Sequence, residues 1–231
     1  MPGVPACLEM SGSALDQPLT DHAAFVKIHT TIGTVPAVPE IRLHLSDDAI
    51  GLWEQTETEA GESDRQPPFW GFAWAGGQAL ARYVLDRPET VAGLRVVDLG
   101  SGSGLTAIAA ALAAASGVLA SELDPFAFAA IGLNAALNGV SLGTTGDLLD
   151  QQADDVDVVL AGDIWYEKEL AARALAYCQR AASNGASVLV GDIGRKFLPR
   201  ELMRELAAYE VPVIADLEST AIKKALVLGL A

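Results

Sequence analysis

In "VVDLGSGSGLTAIAAALAAA", Val96 to Ala115, an apolar run meets an acid, then three alternating glycines, then an alanine-rich stretch. A buried strand that breaks at glycine and restarts as a helix is the repeating unit of an open parallel sheet. Its turn lies at the carboxyl edge of that sheet, where ligands bind. Gly100 and Gly102 let backbone approach a ligand with no Cβ in between. The helix that follows offers unpaired N–H groups. The ligand is limited by what the loop lacks. A dinucleotide fingerprint would place its third glycine at position 105, where this chain has Leu105, its own glycine being Gly104. A phosphate loop would need a lysine followed by Ser or Thr, and none is here. Asp98 would repel a pyrophosphate, whereas it could receive a ligand ammonium directly or through water.

The same alternation continues along the chain. Helical spacing predicts a helix over Gly76–Asp86, and Leu94–Leu99 reads as the strand before the glycines. A helix Leu105–Ala115 and a strand Val118–Glu122 follow. Asp124 as cap and Pro125 in the first turn open a helix that runs to Asn138. A short strand near Val140–Thr145, a strand Val156–Ala161, a helix Glu167–Ala182, a strand Ala186–Gly191 and a helix Pro199–Tyr209 complete the series. The last two strand-like runs, Val211–Glu218 and Ile222–Leu230, are separated by only three residues, too few for a parallel crossover, so they must pair antiparallel. The expected fold is α/β, a Rossmann-like class I methyltransferase sheet over residues 67–231, mostly parallel with a C-terminal antiparallel hairpin. Residues 1–66 read as an N-terminal extension. In it "EIRLHL" (Glu40 to Leu45) and "AIGLW" flank Asp47-Asp48 as a hairpin, and "TETEAGESDRQPP" (Thr56 to Pro68) reads as a loop.

With a formal net charge of −15, the chain lacks the basic footprint that nucleic acid requires, although the charge could steer a cationic substrate. Cys7 and Cys178 form no disulfide framework, and with His22, His29 and His44 they make no metal motif. Leu105–Ala120, the most apolar stretch, is too short to span a bilayer. The first thirty residues resemble neither a signal nor a transit peptide, so a cytoplasmic protein is expected.

A zwitterionic amino acid joined to a nucleoside suits an acid-and-glycine loop better than a phosphate does, which points to S-adenosylmethionine. Asp98, Gly100, Ser101, Gly102 and Gly104 would then hold its amino-acid end. Glu122, at the end of the next strand, would accept from both ribose hydroxyls, and Asp147 from the adenine amino group. In "LAGDIWYEKEL" (Leu160 to Leu170) an apolar strand delivers Asp163 to the same sheet edge, with Trp165 and Tyr166 as an aromatic wall. A carboxylate can hold an amine while its proton leaves, and aromatic faces suit a cationic amine. The alternative is bland: Asp163 caps a helix, and Trp165 and Tyr166 belong to the core.

The chain resembles the electron-transfer-flavoprotein β-subunit lysine methyltransferases, a family within the seven-strand protein methyltransferases. The resemblance rests on "PEIRLHL" (Pro39–Leu45), "PPFWGFAWAGGQALARYVLDRPE" (Pro67–Glu89), "VVDLGSGSGLTAIAA" (Val96–Ala110), "ASELDP" (Ala120–Pro125), "GDIWYEKELA" (Gly162–Ala171) and "VGDIGR" (Val190–Arg195). It implies a protein-lysine N-methyltransferase in which Asp163 and Tyr166 form an Asp-x-x-Tyr motif near the target lysine and Trp74 lies beside the cofactor. The implied substrates are the electron transfer flavoprotein β subunit and a ribosomal stalk protein, with a bacterial, cytoplasmic setting. Trp165 stands where the family more usually has phenylalanine, and Ile193 where proline is expected. Asp192 and Arg195 match the family, and an ion pair at a sheet edge would account for them equally. Two other readings remain: the same fold acting on a small amine or a glutamine side chain, and a non-catalytic cofactor-binding protein.

Overall fold

A computed structural model describes residues 19–63, 65–213 and 221–230. The chain enters through α1 (Leu19–His29) and a hairpin of β1 (Thr31–Val35) and β2 (Val38–Leu45), in which Val35 faces Val38 across the turn. The hairpin partner of "EIRLHL" is thus the segment before it. "AIGLW" instead opens α2 (Ala49–Ala60), because the Asp48 carboxylate accepts the Gly51 N–H at 2.9 Å and caps a helix rather than turning a hairpin. The helix runs on through Thr56–Ala60, into the predicted loop, and closes on Gly61 in the left-handed conformation.

After α3 (Ala75–Asp86) come β3 (Arg95–Leu99), α4 (Leu105–Leu112), β4 (Gly117–Ser121), α5 (Pro125–Leu137) and β5 (Gly143–Thr145). Then follow β6 (Val158–Gly162), α6 (Lys168–Ser183), β7 (Ser187–Asp192), β8 (Met203–Pro212) and β9 (Ile222–Leu230). Among the described residues, β3 to β9 form one seven-stranded sheet in the order β5-β4-β3-β6-β7-β9-β8. The strands from β5 to β7 in that order are parallel, and β9 runs antiparallel to both β7 and β8. This is the mostly parallel sheet with an antiparallel C-terminal hairpin that the alternation predicts.

The hairpin, however, is built from different residues. The predicted helix Pro199–Tyr209 is a short 3-10 turn, Arg200–Leu202, followed by β8, which pairs with β9 from Met203 opposite Leu230 to Pro212 opposite Ile222. Met, Arg, Glu, Leu and Ala are good helix formers, but a ladder with β9 overrides that local preference. Of the predicted strand Val211–Glu218, Val211 and Pro212 end β8, and residues 214–218 lie outside the described residues.

Strand order reverses at β3, so the carboxyl ends of β3 and β6 lie side by side with Leu99 opposite Ala161. The glycine loop and Asp163 therefore emerge together at a topological switch point. One apolar layer joins β2, α3 and α4 to one face of the sheet; a second contains α6 residues Ala174, Tyr177 and Cys178. The start of α3 lies directly on strand ends. A Cβ on Gly191 would strike the Gly76 carbonyl, and one on Gly162 would lie 3.1 Å from the Gly77 Cα. Only glycine permits that approach at Gly76 and Gly191, where an added Cβ would strike the other's backbone carbonyl, and Gly162 is tightly packed. This gives a physical reason for the first glycine of "WAGGQ" and those of "VGD" and "AGD". Asn134 on α5 ties the hairpin to the glycine loop, accepting from His44 N at 2.8 Å and donating to Ser103 O at 2.8 Å.

Candidate active site

The loop after β3 turns because Gly100, Gly102 and Gly104 all have positive φ, at 58°, 53° and 83°. Asp98, the acid before it, faces inward and is 1% exposed. Its carboxylate accepts from Ser101 Oγ at 2.5 Å, Thr106 Oγ1 at 2.6 Å and Ala107 N at 3.2 Å. Burial pushes this carboxyl up to about 6, against those three hydrogen bonds, which pull it down. Glu122, just past β4, accepts from Gly102 N at 2.8 Å and Leu123 N at 2.7 Å. It thereby ties the middle of the glycine loop to the neighbouring strand, while burial raises its carboxyl.

A cavity of about 590 Å³ opens above these strand ends. It is lined by Gly100, Ser101, Gly102, Glu122 and Asp147 together with Asp163, Tyr166 and Arg195. Phe69, Trp70, Phe72 and Trp74, which precede α3, also line it. Phe69 is the aromatic hub, with ring centroids 5.2 Å from Tyr166 and 5.8 Å from Trp74, and its carbonyl accepts the Trp74 indole N–H at 2.9 Å. The volume falls within the range of small-molecule sites.

Asp163 follows β6 with φ at 55°, a strained conformation for a residue other than glycine. Three contacts hold it there. Its backbone N–H donates to Gly191 O at 2.9 Å, one carboxylate oxygen accepts Gly77 N at 2.8 Å, and the other accepts Arg195 Nη2 at 3.0 Å and Nε at 3.2 Å. Burial pushes the carboxyl up to about 6, opposed by the Arg195 charge and assisted by that of Asp192. The Tyr166 hydroxyl is pushed up to about 12, chiefly by burial and then by Glu122 and Glu167, so it is neutral at physiological pH.

Of the predicted site residues, Trp74, Gly100, Ser101, Gly102, Glu122, Asp147, Asp163 and Tyr166 share this one cavity. Asp98, Gly104 and Trp165 do not line it. The Asp98 oxygens accept from the loop's own donors, so in this structure it organises the glycine turn from beneath the cavity. Gly104 backs against Ile131, 3.4 Å from where its Cβ would lie, and its N–H closes the turn onto Ser101 O at 2.8 Å. Trp165 is fully buried in the core on the α6 side, so the aromatic wall is Phe69, Trp74 and Tyr166. Asp147 lines the cavity with both oxygens engaged, one by Leu149 N at 2.9 Å and one by Arg173 Nη2 at 2.6 Å. Phe69 and Phe72 lie in the "PPFWGFAW" stretch, whose composition alone does not mark them as cavity residues. The pairing of Arg195 with Asp163 has no sequence signal, because no spacing rule links residues on two different strand ends. Among the described residues no group of three or more His, Cys, Asp or Glu could hold a metal ion.

S-adenosylmethionine fits these residues. Two cavity-lining glycines without a Cβ and a strand-end carboxylate beside them suit an amino acid joined to a ribose, and the aromatic wall suits a cationic centre.

Comparison with known proteins points the same way. The family described as ribosomal protein L11 methyltransferase (PrmA) matches residues 78–167. The electron transfer flavoprotein beta subunit lysine methyltransferase of Mus musculus is 36% identical over 209 residues, covering 87% of this chain and 80% of that protein. The Homo sapiens protein of the same name is 36% identical over 215 residues, covering 91% of this chain and 79% of its own length. Among solved structures, a precorrin-6y C5,15-methyltransferase from Geobacter metallireducens superposes with a TM-score of 0.50 at 16% identity, over 72% of this chain and 99% of that one. That likeness speaks to the fold alone.

Proposed function

The chain belongs to the electron transfer flavoprotein beta subunit lysine methyltransferase family, and from that premise we propose which protein it methylates and which residues do the work. It is an S-adenosylmethionine-dependent protein-lysine methyltransferase. Its proposed substrate is the β subunit of electron transfer flavoprotein, the protein named in its relatives. A second acceptor, a ribosomal protein, is favoured by the PrmA match and by a Bacillus pumilus ribosomal protein L11 methyltransferase that is 33% identical over 61% of this chain.

One observation carries the assignment of roles: the glycine loop with Glu122 and the Asp163–Tyr166 segment face one cavity. The cofactor supplies a methyl carbon bonded to a positively charged sulfur. In the proposed arrangement Gly100, Ser101 and Gly102 carry its amino-acid end, Glu122 accepts from the ribose, and Asp147 stands at the adenine end. Asp163 orients the lysine amine, while Phe69, Trp74 and Tyr166 exclude water from its side chain. Lysine has an ordinary pKa of roughly 10.4, so the site must favour the neutral amine. Desolvation by the aromatic wall works in that direction.

The test is incubation with methyl-labelled cofactor and, separately, purified electron transfer flavoprotein and ribosomal protein L11, with the labelled residue located by mass spectrometry. Label on a lysine of the flavoprotein β subunit is expected. Label only on L11 would transfer the assignment to the ribosomal protein, and label only on free small amines would overturn both.

A further inference from the structure

Asp163 poses an electrostatic problem for a lysine methyltransferase. A carboxylate beside an amine favours the ammonium form, which has no lone pair with which to attack. A buried carboxylate with no counter-charge would protonate and could no longer orient the amine. Both difficulties are met by one side chain that lies 32 residues along the chain, on the loop after β7.

The Arg195 guanidinium lies in the cavity wall, bonded through Nε and Nη2 to one oxygen of Asp163 and set 5.7 Å over the Trp74 ring. The turn that delivers it is fixed by Asp192, whose Oδ1 accepts from Gly194 N and Arg195 N, both at 2.6 Å. Asp192 is fully buried, and its Oδ2 has no hydrogen-bond partner among the described residues. Arg195 therefore pairs with Asp163 through its side chain and with Asp192 through its backbone. The other groups around Asp163 are few. Gly76 and Gly77 of α3 carry no ionisable side chain, Tyr166 follows on the same loop, and Glu122, just past β4, lines the same cavity. Asp163, with a carboxyl already raised by burial, is held down chiefly by Arg195.

We propose that Arg195 is a positioning residue for methyl acceptance: held between Asp163 and Trp74, it keeps the Asp163 carboxylate ionised to orient the amine and offsets the negative charge that would hold that amine as ammonium. This rests on the lysine-methyltransferase reading. The entering ammonium gives up its proton to water, and the neutral nitrogen stays hydrogen-bonded to Asp163. A guanidinium suits this position because it remains charged throughout and stacks on indole.

The test compares wild type, Arg195→Met and Arg195→Lys. The Asp163 carboxyl is titrated by carbon-13 NMR in the cofactor-free protein, the affinity for S-adenosylhomocysteine is measured by calorimetry, and the pH profile of kcat on the substrate protein is recorded. Arg195→Met should raise the Asp163 midpoint by about one pH unit or more, as expected for loss of an adjacent opposite charge. The acidic limb of kcat should move with it, and turnover at neutral pH should fall about tenfold or more. S-adenosylhomocysteine should bind within a factor of about three of wild type, since the change removes no group proposed to hold the cofactor. Arg195→Lys keeps the charge, so it should leave the midpoint near that of wild type and restore part of kcat. An unmoved midpoint and unmoved acidic limb in folded Arg195→Met would overturn the proposal, as would a loss confined to thermal stability that Arg195→Lys shares in full. A moved midpoint in a protein whose wild type methylates no lysine would overturn the lysine reading instead, because the titration reads the Arg195–Asp163 pairing without substrate.

Discussion

Asp98 and Asp163 stand at the carboxyl ends of adjacent parallel strands, β3 and β6, and burial pushes both carboxyls to about 6. Their surroundings differ. The Asp98 oxygens are enclosed by Ser101, Thr106 and Ala107, all within its own strand–loop–helix unit. Asp163 is held by groups brought from elsewhere, the Gly77 N–H of α3 and the guanidinium of Arg195, and it faces the cavity. A raised pKa therefore identifies a buried acid, not its task. What distinguishes the two acids is where their hydrogen bonds originate and whether an open space remains beside them.

The largest expected effect breaks the pair apart. Asp163→Asn should lose about a hundredfold or more in turnover, the scale of lost proton handling and alignment, with affinity for S-adenosylhomocysteine nearly unchanged. Asp98→Asn should weaken cofactor binding and thermal stability together, because the amide group cannot accept from Ser101, Thr106 and Ala107 at once. Methyl incorporation beside calorimetric affinity for both variants decides it. Near-wild-type turnover in Asp163→Asn would reduce Asp163 to a second structural acid.

Glu122 comes next. It stands between the two cases, since its oxygens accept from the loop backbone while the residue lines the cavity. Glu122→Ala should weaken cofactor binding by about tenfold or more, from lost charge-assisted hydrogen bonds of about 1.5–3 kcal/mol each. Glu122→Gln should keep part of the affinity by retaining one acceptor. Unchanged affinity in a folded Glu122→Ala variant would assign Glu122 to the loop alone, like Asp98.

A smaller effect is expected at Tyr166, which gives the open side of the Asp163 region its aromatic surface and is 41% exposed. If the ring acts as a wall, Tyr166→Phe should keep turnover within about fivefold of wild type, while Tyr166→Ala should lose more by opening the site to water. Equal losses in both variants would give the hydroxyl a role of its own.

These contrasts also mark how far residues alone could be read. The glycines, the apolar runs and their spacing give the parallel sheet and the position of the ligand edge, because strand and helix periods are local properties. Orientation is not local. Nothing in the spacing of Asp98 shows that the Ser101 and Thr106 hydroxyls enclose it. Trp165 and Tyr166 are neighbours in sequence, yet after the left-handed turn at Asp163 one enters the core and the other lines the cavity. The partnership of Asp163 with Arg195 depends on β6 and β7 being adjacent, which no motif spacing encodes. The misread helix at β8 has the same origin: its local composition favours one state, and its long-range partner β9 imposes another.

The smallest expected effect is a likeness, and it tests whether burial alone governs the titration of the two acids. Both folded-state values lie above the ordinary carboxylate value of 3.8, at about 6. Between those limits the folded protein holds a proton at each site that the unfolded chain has released. The stability contributed by each acid is therefore fully present below about pH 4 and is lost as pH rises through about 6. In the cofactor-free protein, the wild-type unfolding free energy minus that of Asp98→Asn should fall across this window and then level off. The same difference for Asp163→Asn should follow a similar curve, even though only this variant loses turnover without losing cofactor affinity. Urea unfolding between pH 4 and pH 8 supplies both curves. A falling curve for Asp98 beside a flat one for Asp163 would mean that Arg195 fully compensates the burial of Asp163, so that the two acids differ in charge state as well as in what they face.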